Sequence, residues 1–178
     1  MPRLFTGIEL PPDIGQSLAS LRGGLPGARW IEPENYHITL RFIGNIDDAM
    51  AREVALLLNH VRRRTFELRL DGLSFFGGRK PRAIIASVQA ARPLIELQAE
   101  QGRLMQRVGL DPEGRKFTPH VTLARLRDSS NTQVASYLAH WQPFRSSPFP
   151  APRFVLYSSR ASAGGGPYVV EAAYPLLA

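Results

Sequence analysis

The chain contains one four-residue pattern twice, as His37-Ile38-Thr39-Leu40 and as His120-Val121-Thr122-Leu123. The two copies begin 83 residues apart in a chain of 178 residues, so each half of the sequence holds one copy. Around each copy, the hydrophobic pattern predicts the same order of elements: strand, helix, histidine-bearing strand, helix and strand. This repeated order favours two similar α+β halves that form one domain, with a cleft where the halves face each other.

The predicted halves cover residues 1–82 and 83–178 of a single domain that spans residues 1–178. A shift of about 83 residues aligns the first predicted strand, residues 3–10, with residues 84–90 in the second half. Prolines, glycines and helix-capping side chains delimit the elements. We expect strands over residues 3–10, 28–31, 36–43, 65–73, 83–88, 120–125, 154–158 and 168–173, helices near 14–22, after Asp47, over 93–108 and from Asn131, and a glycine-rich turn over 162–167.

Composition restricts the possible chemistry. The chain has no cysteine, which excludes disulfides, a thiolate nucleophile, cysteine-ligated zinc and iron–sulfur clusters. It has 22 Lys and Arg against 15 Asp and Glu, and the net charge of +7 favours polyanionic partners such as nucleic acid or phosphorylated metabolites. No apolar run approaches the roughly 18 residues that a membrane span needs. We therefore expect a cytoplasmic, monomeric protein that does not contact membranes.

Side chains alternate along a strand, so each copy of the pattern has a polar face and an apolar face. His37 and Thr39 share one face of the first strand, and Ile38 lies on the other. His120 and Thr122 share the polar face of the second strand. If the two polar faces meet across a cleft, the site contains two imidazoles and two hydroxyl donors.

Such a set suits in-line displacement at phosphorus. One neutral histidine can accept a proton from the attacking oxygen, and one protonated histidine can give a proton to the leaving oxygen. Both imidazoles are expected to titrate near neutral pH without much tuning. Thr39 and Thr122 can donate to the non-bridging phosphoryl oxygens. Neither motif carries a carboxylate, and threonine is a poor zinc ligand, so we expect no metal and no cofactor.

Two arginines near the motifs are candidates for phosphate binding. Alternation places Arg41 on the same face as His37. On a regular strand Arg125 would lie on the face opposite His120, and it would reach the cleft only past a β-bulge or at the strand end.

Three aromatic residues near the motifs, Phe5, Tyr36 and Tyr168, are candidates for stacking on a nucleobase. Aromatic residues of strands are more often part of a core, so the packing interpretation stays open for each of them.

The chain resembles the 2H phosphoesterases, and more closely the RNA 2′,3′-cyclic phosphodiesterases historically called 2′-5′ RNA ligases. The resemblance covers nearly the whole chain. It rests on Arg3-Leu4-Phe5 leading into the first strand, the segment from His37 to Gly44, the segment from Arg115 to Arg125, and Leu156-Tyr157-Ser158-Ser159 followed by Gly166-Pro167-Tyr168.

This resemblance implies a bilobal α+β fold with two pseudo-symmetric half-domains, antiparallel sheets facing a central basic cleft, and helices outside. It implies metal-independent opening of an RNA 2′,3′-cyclic phosphate to a 2′-phosphate. His37 would be the proton donor, His120 the proton acceptor, and Thr39 and Thr122 would hold the phosphate.

Alternatives remain within and outside this activity. The same chemistry could act on 2′-5′ oligonucleotides or on another cyclic nucleotide phosphate, and it could run in reverse as 2′-5′ RNA ligation. A non-catalytic RNA- or nucleotide-binding module is the alternative of another class, although binding alone needs no pair of proton-transfer groups.

Overall fold

Residues 3–159 and 166–178, which a computed structural model describes, form four α-helices, two short 3₁₀ helices and ten strands. The helices are α1 (Pro12–Ala19), α2 (Asp48–Leu57), α3 (Arg92–Arg107) and α4 (Asn131–Trp141). The strands are β1 (Arg3–Glu9), β2 (Ala28–Trp30), β3 (His37–Asn45), β4 (Phe66–Leu68), β5 (Leu70–Gly77), β6 (Pro81–Val88), β7 (His120–Leu126), β8 (Phe149–Ala151), β9 (Arg153–Ser159) and β10 (Tyr168–Pro175). The turn predicted over residues 162–167 lies outside the described residues, except for its last two positions.

Local sequence signals explain where the helices begin. The Asp47 side chain accepts a hydrogen bond from the Met50 amide and caps α2, as the sequence predicts. Ser130 and Gln133 form a capping box at the start of α4. Each helix then buries apolar residues in the main hydrophobic core, and the long α3 buries Leu94, Leu97, Leu104 and Met105 together with the polar Gln101.

Most strands belong to one antiparallel sheet in the order β10-β9-β1-β3-β7-β6-β5, with β2 paired beside β3 on the same edge of β7. The two histidine-bearing strands, β3 and β7, meet in the middle through a single residue pair, Ile38 and Val121. The sheet therefore consists of two half-sheets joined edge to edge. One contains β3, β1, β9 and β10 and the other contains β7, β6, β5 and β2, so each half-sheet contains strands from both halves of the chain. Strands β4 and β8 form a separate two-stranded sheet. The predicted α+β fold with two repeated halves is confirmed.

The strands that flank the two histidine-bearing strands, β1 and β6, are not related by the simple shift of 83 residues. Glu9 pairs with His37 in the first half, and Ser87 pairs with His120 in the second. The strand over residues 3–10 thus corresponds to residues 81–88, and the alignment with 84–90 is wrong. The reason is the helix that connects each pair of strands, because α3 has 16 residues whereas α1 has 8.

Two other expectations about strands need correction. Residues 65–73 were expected to form one strand, but β4 and β5 belong to different sheets and Arg69 separates them. Strand β8 was not expected. Both β4 and β8 have three residues, which is too short to show an alternating pattern in the sequence.

Candidate active site

A cleft of about 320 Å³ lies over the junction of β3 and β7, within the size range of small-ligand pockets. Both motif histidines and both motif threonines line it, as alternation along the strands predicts. The rest of the lining consists mainly of arginines and aromatic residues: Arg3, Arg115, Arg125, Phe5, Phe42, Phe76 and Tyr168.

The His37 ring is held by hydrogen bonds at both nitrogens. Its Nδ1 lies 2.9 Å from the Asn35 carbonyl oxygen, and its Nε2 lies 2.9 Å from the Thr39 hydroxyl. A carbonyl oxygen can only accept, so Nδ1 carries a proton and Nε2 is the nitrogen that gains or loses one. The Thr39 hydroxyl can donate to neutral Nε2 or accept from its protonated form.

The His120 ring is also held through its Nδ1. Its Nδ1 lies 2.7 Å from the Thr118 carbonyl oxygen, again two residues before the histidine. Neutral His120 is therefore also protonated on Nδ1, and its Nε2 is the basic nitrogen. Both motif histidines therefore have the same neutral tautomer, with the proton on Nδ1.

The surroundings of the histidines favour their neutral forms. The ring of His37 packs against Phe5, Tyr157 and Tyr168, with ring centroids 5.0–5.3 Å away. Burial is the main cause that lowers the pKa of His37 to about 4. The hydrogen bond to the Asn35 carbonyl opposes the decrease, and the positive charges of His120 and Arg125 contribute to it.

Burial also lowers the pKa of His120, and Arg125 adds to the effect, while the Thr118 carbonyl opposes it. The expectation that both histidines titrate near neutral pH without tuning is therefore wrong for the free protein. Both side chains are half-buried, and the positive charge of Arg125 lowers the pKa of each.

A β-bulge in each histidine-bearing strand decides which arginine enters the cleft. In the pairing of β3 with β1, Leu40 has no partner residue. In the pairing of β7 with β6, Leu123, which lies 83 residues later, has none. Each extra residue reverses the alternation beyond it. As a result Arg125 lines the cleft with His120, which is the bulged arrangement that the sequence left open.

The same bulge carries Arg41 away from the cleft, so its predicted place beside His37 is wrong. The Arg41 side chain is 5% exposed and lies 3.4 Å from the Glu113 carboxylate. It also donates hydrogen bonds to the carbonyl oxygens of Phe42 and Asp111. Phe42 takes the position on the cleft that unbroken alternation would have given to Arg41.

The three aromatic candidates have different positions. Tyr36 is 4% exposed and packs in the main hydrophobic core, so it cannot stack on a base in the cleft. Its neighbour Ile38 is also in that core, and alternation alone would have assigned Tyr36 to the core face. Phe5 and Tyr168 do line the cleft, although Phe5 is 5% exposed and lies under the ring of His37.

A comparison with protein-family models identifies the family. The model described as LigT-like phosphoesterase matches the chain twice, over residues 8–86 and 85–168. The chain belongs to this family. The prediction of a 2H phosphoesterase fold and family is therefore confirmed.

Two curated relatives of the phosphoesterase are both named RNA 2′,3′-cyclic phosphodiesterase. The protein from Aeropyrum pernix is 37% identical over 110 residues, which cover 61% of this chain and 62% of that relative. The protein from Aquifex aeolicus is 31% identical over 147 residues, which cover 80% of this chain and 78% of that relative.

Solved structures show the same architecture. Escherichia coli LigT complexed with 3′-AMP superposes with a TM-score of 0.79 at 26% identity, and 99% of each chain is covered. TT0787 of Thermus thermophilus superposes with a TM-score of 0.80 at 21% identity, and 97% of each chain is covered. These likenesses support the bilobal fold over the whole length of the phosphoesterase.

Sequence reasoning missed several residues of the cleft. Phe42 and Phe76 are the most exposed of its aromatic residues, at 47% and 36%, and the edge of the Phe76 ring lies against His120 with the centroids 4.7 Å apart. The shift of 83 residues could have found Phe42, because it is the counterpart of Arg125. Arg3 and Arg115 also line the cleft; each begins a segment that carries the family resemblance, but neither was predicted as a site residue.

Two general features of the phosphoesterase concern membranes and metals. Among residues 3–159 and 166–178, no helix is long and apolar enough to cross a membrane. In the same part of the chain, no three His, Asp or Glu side chains lie close enough together to share a metal ion. The expected cytoplasmic location and monomeric state stay predictions.

Proposed function

We propose that the protein hydrolyses 2′,3′-cyclic phosphate ends of RNA to 2′-phosphates, without a metal ion. The observation that supports this most is the pair of histidines in one cleft, each held through Nδ1 by a backbone carbonyl. A binding module would not need two imidazoles with the same fixed tautomer, whereas acid–base catalysis does. The names of the curated relatives agree with this substrate.

The roles follow from the resemblance to the family. His120 accepts a proton from water as the water oxygen bonds to phosphorus. The bond from phosphorus to the 3′ oxygen breaks, and His37 gives its Nε2 proton to that oxygen. Thr39, Thr122 and Arg125 lie in the same cleft and can donate to the phosphoryl oxygens, where charge accumulates.

This assignment requires a protonated His37, although the pKa of His37 in the free protein is about 4. The substrate itself can resolve this requirement. A phosphodiester brings one negative charge into the cleft and partly offsets the positive charge of Arg125, so it raises the pKa of the nearby imidazole. Both histidines are thus neutral before binding, and His37 takes up its proton together with the substrate.

The direct test is turnover of an RNA oligonucleotide that ends in a 2′,3′-cyclic phosphate, with EDTA present. We expect a 2′-phosphate product, and we expect His37→Gln and His120→Gln each to lower kcat by about 10²–10⁴-fold. His60→Gln is the matched control, because His60 is an exposed histidine that does not line the cleft.

Several outcomes would contradict the proposal. Binding without turnover would favour the non-catalytic module, and faster cleavage of 2′-5′ linkages would favour the other substrate class. A 3′-phosphate product would show that the orientation of the cyclic phosphate between the two histidines is reversed. Activity that is lost in EDTA and restored by a divalent ion would refute the metal-free mechanism.

A further inference from the structure

A second groove lies beside the catalytic cleft, and Arg115 lines both. This groove has a volume of about 370 Å³ and lies between α3 and the loop that precedes β7. Its cationic lining consists of Arg41, Arg103 and Arg115, against one carboxylate, Glu113. Arg103 and Arg115 are exposed and make no ion pair with any residue that the structure describes.

Arg41 gives this groove a buried positive charge. Its guanidinium is 5% exposed, and its Nε is buried without a hydrogen-bond partner among the described residues. Glu113 neutralises only part of the local charge, because three guanidinium groups line the groove with it. The groove is therefore suited to an anion with several acceptor oxygens, such as a phosphodiester.

The loop that carries Arg115 is attached to β3 by side chains. The Glu113 carboxylate accepts a hydrogen bond from the Phe42 amide at 2.8 Å and pairs with Arg41. In the other half of the protein, β2 occupies the equivalent edge of β7 through regular backbone pairing. In place of that backbone ladder, the Glu113 carboxylate and the hydrogen bond from Arg41 to the Asp111 carbonyl oxygen hold the segment from which Arg115 reaches the cleft.

We propose that this groove, with Arg115 at its entrance, binds the phosphodiester that precedes the terminal nucleotide of the RNA. Glu113 and Arg41 are positioning residues that act through Arg115. The inference rests on the proposed function, since it takes the cyclic phosphate to lie between the two histidines. It makes the substrate an oligonucleotide rather than a free cyclic nucleotide.

The test compares 2′,3′-cyclic UMP with a dinucleotide that ends in a 2′,3′-cyclic phosphate. In wild type we expect a higher kcat/KM for the dinucleotide. Arg115→Ala should lower kcat/KM for the dinucleotide by about 10–100-fold, the usual cost of one charge-assisted contact, and should change the value for cyclic UMP far less. Arg115→Lys should restore part of the preference.

A double variant separates positioning from a general structural role. Glu113→Ala should reduce the preference for the dinucleotide, and it should have no further effect when Arg115 is already alanine. Glu96→Ala is the matched control, because Glu96 lies on α3 and pairs with Arg63 and Arg92 outside both grooves. Thermal unfolding monitored by circular dichroism shows whether each variant is folded. If Glu113→Ala does not fold, the comparison of the two substrates in Arg115→Ala still tests the proposal.

The outcomes distinguish this inference from the proposed function. Equal loss on both substrates in Arg115→Ala, or wild-type enzyme without a dinucleotide preference, would overturn the inference while the proposed hydrolysis stands. If neither substrate is turned over, the proposed hydrolysis fails. The Kd values of both ligands in a His120→Gln background then decide on the groove, since they do not depend on turnover.

Discussion

Binding of a phosphodiester should raise the pKa of His37, and this coupling can be measured. Burial and the charges of His120 and Arg125 hold the pKa of His37 at about 4 in the free protein, against 6.5 for an unperturbed imidazole. If the bound anion restores the unperturbed value, the pKa rises by about 2.5 units. Binding then takes up a proton, and the affinity increases tenfold for each pH unit between about 6.5 and 4.

The affinity should be about 150-fold higher at pH 4 than above pH 7, and the full effect of about 300-fold is reached below about pH 3. The ligand should be 2′,3′-cyclic UMP, because neither its diester nor its base titrates in this range. A His120→Gln background prevents turnover during calorimetry. In the same protein, imidazole ¹³C shifts give the pKa of His37 with and without ligand. A control with both His37 and His120 replaced by Gln should bind cyclic UMP independently of pH.

Two results would refute this reasoning. The first is a pKa of His37 near 6.5 in the free protein, which would show that burial does not suppress its charge. The second is an unchanged pKa after the ligand binds, because His37 would then stay neutral in the complex. A different donor would have to protonate the 3′ oxygen in that case.

The remaining predictions concern stability and the other groups of the cleft. The pKa of His37 is lower in the folded than in the unfolded state, so neutral His37 costs no stability above pH 6.5, and the free energy of unfolding should fall by about 3 kcal/mol toward pH 4. Urea unfolding of wild type and His37→Gln as a function of pH should isolate this difference. Equal pH profiles for the two proteins would contradict it. Thr39→Ala and Thr122→Ala should each lower kcat by about 10–10³-fold in the cyclic phosphate assay, and unchanged rates would remove the proposed phosphoryl donors. Gly7→Ala should cost about 1–3 kcal/mol, because its new Cβ would lie 2.8 Å from the Ile38 carbonyl oxygen, whereas Gly15→Ala in α1 meets nothing within 4 Å and should be neutral or stabilising. Chemical denaturation that ranks the two glycine variants the other way would contradict this packing.

The repeated motif and strand alternation were sufficient to predict both halves of the fold and the four central site residues. Those predictions depend only on neighbouring residues along one strand, where the period of two holds from His37 to Thr39 and from His120 to Thr122. Beyond Leu40 and Leu123 the period is broken by the bulges, and an extra residue in a ladder depends on the partner strand. This is why the position of Arg41 was wrong and that of Arg125 could not be decided.

Residues that reach the cleft from other elements were beyond such reasoning. Phe76 lies on β5 and Arg115 on a loop, and neither has a sequence pattern that specifies its direction. Their places depend on how the halves pack. By contrast, Tyr36 was kept as a stacking candidate, although the alternation that correctly placed its neighbour His37 puts Tyr36 on the core face.

The single pair that joins the half-sheets, Ile38 with Val121, has a mechanical consequence. Each residue of this pair directly follows a histidine of the cleft, so both imidazoles lie almost on the line about which one half could rotate relative to the other. The lever arm at the histidines is short, while it is long at the outer strands β10 and β5. Bending of the sheet would therefore widen or narrow the outer walls of the cleft, where ligands enter, and leave the separation of the two proton-transfer groups nearly constant.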